Sequence, residues 1–183
     1  MADSIPPHAN IRLTRERLEH LRDSLRQRGQ RPSIVITGPR TSAELLEAMS
    51  IVEEYGPICE AMYLMMSADS RVVNSEREVL RGALDVLSGG RVRTIHMEAM
   101  LDAAARRLGT EGRDARLAKV IDQLEGDTAR AEAVVVLAAA VAAADSKIVP
   151  EESAVLDAMF KGLGIDAKRA NELIESLDAD ISK

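Results

Sequence analysis

A chain of 183 residues with 24 Lys and Arg against 30 Asp and Glu, a formal net charge of −6, is long enough for one domain with a sizeable core. Hydrophobic residues make up 46% of it, too many for intrinsic disorder, and aromatics only 2%, which excludes an all-β fold and favours closely packed helices of Ala, Leu and Met. The single cysteine, Cys59, excludes an internal disulfide framework and a multi-cysteine zinc site, and no apolar run reaches the roughly 18 residues of a membrane helix.

Charge divides the chain unevenly. Residues 1–40 hold eight Arg and four acids, and the rest holds 16 basic and 26 acidic residues. An acidic body disfavours nucleic acid, whose binding depends on neutralising phosphates, and the basic stretch reads as solvated surface. Met1 to Asn10 lack the apolar region of a secretory signal, and Glu16, Glu19 and Asp23 interrupt the Arg-rich stretch after it. The cytoplasm is the expected location.

Leu18, Leu21 and Leu25 lie three and four apart and predict a helix over 13–28, ended by Gly29. The run 32–39, bounded by Pro32 and Pro39, is β-like but has no second strand to pair with. It reads as an extended linker laying Ile34 and Ile36 on the body, so that residues 1–40 form a basic N-terminal segment and 41–183 the helical domain. Residues 38–42 lack the Gly-Lys-Ser/Thr ending of a phosphate loop. Thr41 with Glu44 reads instead as a capping box opening a helix to about residue 54.

Gly56-Pro57 predicts a break, with Pro57 starting a helix to about 68 whose Met62, Met65 and Met66 fill the core. Further helices are expected over 74–87, stopped by Gly89-Gly90; over 95–108, capped by Thr94 and ended by Gly109; and over 114–124, ended by Gly126. Asp127 caps an Ala-rich helix to 144, and 150–163 and 166–177 complete the set. The expectation is an all-α bundle of about nine helices.

Within it lies a duplication. Residues 68–80 and 144–156 are identical at seven of thirteen positions with an offset of 76, including Asp69/Asp145, Ser70/Ser146 and Glu76/Glu152. Average residue usage predicts about one identity. The same helix–loop–helix unit therefore occurs twice.

Two readings of its acids stand side by side. An aspartate at a helix C-terminus faces the negative end of the macrodipole, so its repetition suggests local use. In one reading Asp69 and Asp145 fold back on orphan N–H groups of the next helix, because Val73 and Val149 cannot cap it. In the other, each Asp and the Glu seven residues later hold a hard divalent cation, with carbonyls or water completing an oxygen shell.

The pattern Ala-Asp-x-x-Ile/Val-x-Pro-x-Glu, followed by an apolar helix and Leu163-Gly164-Ile165, resembles the tellurite-resistance TerB-like family over roughly residues 44–177. That resemblance implies an all-helical fold of two repeats and a role in tellurite and chemical-stress responses, with related domains in membrane-anchored J-domain co-chaperones. It also implies a divalent-cation site (Ca²⁺, Mg²⁺, Mn²⁺ or Zn²⁺) at Asp69, Glu76, Asp145 and Glu152, and a protein partner. One departure is the family glycine after Asp, which is Ser70 and Ser146 here; a positive φ there would burden serine by about 1 kcal/mol. His8, His20 and His96 are scattered, Cys59 reads as core, and no nucleophile or phosphate-loop motif occurs, so a non-enzymatic role is expected. The alternative is a metal-free interaction module whose Asp/Glu pairs are structural caps.

Overall fold

The computed structural model describes residues 15–30, 38–144 and 148–181. Among these residues there are eight helices and no strand: α1 (Arg15–Gly29), α2 (Ser42–Met66), α3 (Asn74–Ser88), α4 (Thr94–Glu111), α5 (Arg113–Leu124), α6 (Thr128–Ala142), α7 (Pro150–Gly162) and α8 (Ala167–Ile181). The all-α bundle is present with one helix fewer than the sequence breaks suggest. The linker expected around Ile34 and Ile36 lies outside the described residues.

The difference is at Gly56-Pro57, which does not divide α2. The proline ring removes one backbone donor and crowds the carbonyls a turn earlier, a defect of about 3 kcal/mol. The carbonyl that loses its helical donor is that of Glu53; at the adjacent carbonyl, Glu54, Arg130 of α6 donates from Nη2 at 2.5 Å and ties this turn to its neighbour. Burial of Ile51, Tyr55, Ile58 and the methionines along one continuous rod outweighs the defect.

Two helix ends also differ from expectation. Gly109 lies inside α4, where a glycine costs only about 1 kcal/mol; the turn that needs glycine comes at Gly112, with φ +84°. Thr94 is the first residue of α4 rather than its cap, and His96 Nδ1 instead accepts from the Arg93 N–H at 3.2 Å. The Thr41/Glu44 capping box forms as read: Glu44 N–H donates to Thr41 Oγ1 at 3.2 Å, and Thr41 N–H to Glu44 Oε2 at 3.3 Å.

At the 76-residue offset, α7 and α8 are the counterparts of α3 and α4, and α6 is the counterpart of α2 from Val52 onward. α2 and α6 pack on each other; α3 leans on α6, and α7 on α2. Val134 to Ala142 are all buried, as a helix surrounded by neighbours requires. The remaining two helices obey the same pseudo-symmetry. α1 packs on α3, α6 and α8, while α5 packs on their counterparts α7, α2 and α4. The molecule is thus two interlocked four-helix sets, α1–α4 and α5–α8.

Packing runs across the boundary placed at residue 40. Leu18, Leu21 and Leu25 of α1 are 3%, 0% and 0% exposed and belong to the common core. α1 crosses α3 at backbone contact: a Cβ on Gly29 would lie 1.7 Å from the Glu78 carbonyl oxygen, and one on Gly82 1.9 Å from that of Leu25. Only glycine permits this approach. Arg26 and Arg28 use their charges locally, pairing with Glu78 at 2.8 Å and Asp85 at 2.5 Å.

Candidate functional site

Each repeat passes from a central helix through a short loop into an amphipathic one. The last carbonyls of the central helix have no helical donors. In the first repeat Arg113, opening α5, meets them: Nη1 donates to the Leu64 carbonyl at 2.5 Å and Nη2 to the Ser67 carbonyl at 2.6 Å. In the second, Arg22 of α1 donates from Nη1 to the Ala143 carbonyl at 3.1 Å. Ser67 and Ala143 are equivalent at the offset of 76. A guanidinium therefore sits at the negative end of both central helices and offsets the placement of an aspartate there. The two arginines are unrelated in sequence register, so the repeat alone does not reveal them.

The acids then organise the loop. Asp69 Oδ1 accepts from the Arg71 N–H at 2.8 Å, and Glu76 Oε2 accepts from the Val73 N–H, also at 2.8 Å. The expected pair of the first repeat thus converges on the single loop 69–73. Glu152 Oε2 accepts from the Val149 N–H at 3.0 Å in the second repeat, and both glutamates are only 4% exposed. Val73 and Val149 are N-caps with extended backbone and no side-chain acceptor. The glutamate at the third helical position thus ties down the cap residue's own N–H in both repeats. Asp145 and Ser146 lie outside the described residues.

Ser70 adopts φ +65°, the only positive φ among the described residues other than glycine. This is the position where the resemblance places glycine, and a serine there carries about 1 kcal/mol of strain. Its N–H donates to the Ser67 carbonyl at 3.1 Å.

The donors at the first loop are all oxygen. Two carboxylates with backbone carbonyls and water suit a hard ion such as Mg²⁺, Ca²⁺ or Mn²⁺, not the nitrogen and sulfur set that Zn²⁺ prefers. Among the described residues no three His, Cys, Asp or Glu side chains are grouped to hold a metal. Cys59 is fully buried, and burial pushes its thiol up to about 12, as suits a core residue. His96 is 6% exposed; burial, aided by Arg93, lowers its pKa and keeps Nδ1 free to accept.

One polar cluster escaped the sequence reading. Glu60 is 2% exposed and faces Arg116, itself buried, with Nε at 2.7 Å from Oε1 and Nη2 at 3.1 Å from Oε2. Arg107 Nε adds a bond to Oε2 at 2.9 Å, and Arg116 continues to Glu111 at 3.2 Å. The bonds to Glu60 raise the pKa of Arg116 further. A signal existed: Glu60 is the lone charge between Ile58 and Ser67.

No helix among the described residues is long and apolar enough to cross a membrane. No curated protein and no solved structure matches the chain. Residues 57–175 match the family model described as tellurite resistance protein TerB, a span that begins at Pro57 and takes in both repeats and both acidic loops. With well over half its length under that model, and with its two repeats folded as helix–loop–helix units, the chain belongs to the TerB tellurite-resistance family.

Proposed function

We propose that this TerB protein acts by binding rather than by catalysis, in the cytoplasm as part of the response to tellurite and related chemical stress. Its ligand is a hard divalent cation taken up at the acidic repeat loops, Asp69 with Glu76 and Asp145 with Glu152. The observation that carries the reading is the convergence of Asp69 and Glu76 on one five-residue loop, each by a backbone bond to a single carboxylate oxygen. The strained Ser70 between them fits a loop held for a purpose beyond its own stability. When bound, the cation would supply charge neutralisation; the chain would contribute the carboxylates, with Arg22 and Arg113 holding the helix ends that lead to them.

A second reading is a metal-free interaction module. It is favoured by the same Glu-to-cap bond in both repeats, which accounts for the burial of Glu76 and Glu152 without any ion. Melting with and without Mg²⁺, Ca²⁺ or Mn²⁺ separates the two. Saturation at about a hundred times Kd should stabilise the wild type by about 2.7 kcal/mol, a rise of roughly 5–11 °C. Asp69→Asn with Asp145→Asn should abolish the rise while leaving the ion-free protein folded. A wild-type melt indifferent to all three cations defeats the cation reading and leaves the module.

A further inference from the structure

The first ten residues of α2, Ser42 to Ile51, have no counterpart in α6, whose start aligns with Val52 at the repeat offset. They also precede residue 57, where the family match begins. At 1.5 Å per residue this is an overhang of roughly 15 Å. It is apolar where a solvated helix would be polar: Leu45, Leu46 and Met49 are 50%, 66% and 59% exposed, and Val52, the next residue beyond it, is 38% exposed. Ile95, at the start of α4, adds 39% exposure. Met49, Val52 and Ile95 line a cleft of about 1050 Å³ between the overhang and the α3–α4 turn.

We propose that this face is the two-fold interface of a homodimer, in which the α2 overhangs of two copies pack antiparallel. The first argument is area. At 100° per residue Leu45, Leu46, Met49 and Val52 fall within about 120° of one face of α2, and with roughly 150–200 Å² for each fully exposed aliphatic side chain they and Ile95 present roughly 400–500 Å² of apolar surface, the range that marks an interaction site. A standard interface buries about 800 Å² per partner with about 60% of it apolar, so the patch matches one half of such an interface.

The second argument is charge. A two-fold interface presents the same patch to itself, so it must be self-complementary. The chain as a whole is acidic, at −6, yet the rim of this cleft is balanced: with Arg91 paired to Glu54 at 3.2 Å and Glu44 held in the capping box, Arg40 and Arg93 stand against Glu47 and Glu53, all four exposed. With Met49 near the axis, antiparallel packing sets Leu45 and Leu46 of one copy against Val52 of the other. It sets Glu53 of the second copy opposite Leu45, about 7–8 Å along the axis from Arg40 and within reach of an arginine side chain. A strongly basic or acidic ligand would leave one half of this rim opposed by like charge.

Sedimentation equilibrium of the full chain from about 1 to about 500 µM tests the assignment. The expected result is reversible association to twice the 19.8 kDa chain mass. Leu46→Glu, counted twice in a symmetric dimer, should weaken association by at least about a hundredfold while leaving the melting of the dilute protein unchanged, since Leu46 is 66% exposed. Glu53→Arg should weaken it by about tenfold, and Glu53→Arg with Arg40→Glu should restore it. A wild type that stays monomeric throughout overturns the proposal, whether residues 31–37 of the same chain or an unrelated protein covers the face. A dimer indifferent to Leu46→Glu overturns it equally, because association then uses another surface.

Discussion

Truncating Leu21 to alanine tests whether the N-terminal helix is part of the fold or an appendage. Leu21 is fully buried between α1 and its neighbours, with Leu18 and Leu25 one turn away on either side. Leu→Ala in a packed core costs about 2–5 kcal/mol, the transfer term plus the cavity left behind. Gly29 and Gly82 hold α1 and α3 at backbone contact, so the site collapses poorly and the upper half of that range is expected. A chain of this size loses about 2–4 °C per kcal/mol, which makes the fall in melting temperature roughly 7–20 °C. Deletion of residues 1–40 should be far more severe. Three buried leucines are worth about 1.5–3 kcal/mol each, and their sum approaches the whole stability of a domain, about 5–15 kcal/mol. The loss of Arg22 from the Ala143 carbonyl adds to it. Denaturant unfolding followed by circular dichroism measures both variants. If the truncated chain still unfolds cooperatively within about 3 °C of the intact one, the reasoning fails and α1 is dispensable.

Glu60→Gln leaves the buried Arg116 with Glu111 as its remaining carboxylate and should cost about 1.5–3 kcal/mol of unfolding free energy, whereas Arg15→Ala, breaking the exposed pair with Glu19, should cost under about 1 kcal/mol. Ser70→Gly relieves a φ of +65° and should stabilise by up to about 1 kcal/mol; a destabilised glycine variant would mean the serine side chain matters to the loop. The lowered pKa of His96 means that the unfolded chain binds its proton more readily. This contribution to stability is fully present above the unfolded value of about 6.5 and falls as pH drops below it. The melting temperature of wild type relative to His96→Gln should therefore decline from pH 7 to pH 5.5, since glutamine at the third helical position can still accept from the Arg93 N–H without titrating.

Helical class, the duplication and most helix ends were legible in the chain by itself, because they rest on local causes. Thr41 with Glu44, Asp127, Gly89 and Gly126 act within one turn of their own position, and a scarcity of aromatics with an excess of alanine dictates closely packed helices. The paired acids were also legible, since Asp69 and Glu76 serve the same short loop that separates them in sequence. Pro57 misled for the converse reason: its local signal says stop, but Arg130, 73 positions away, and the burial of the surrounding rod say continue. The place of α1 was hidden likewise, because a stripe of three leucines looks the same whether it covers a neighbour or lies on its own. Only the tertiary structure decided that Gly29 and Gly82 meet, that Arg22 and Arg113 cap equivalent helices from unaligned positions, and that Glu60 finds Arg116. Each of those contacts is made between helices, where the chain's own periodicity carries no information about which side chain arrives from across the core.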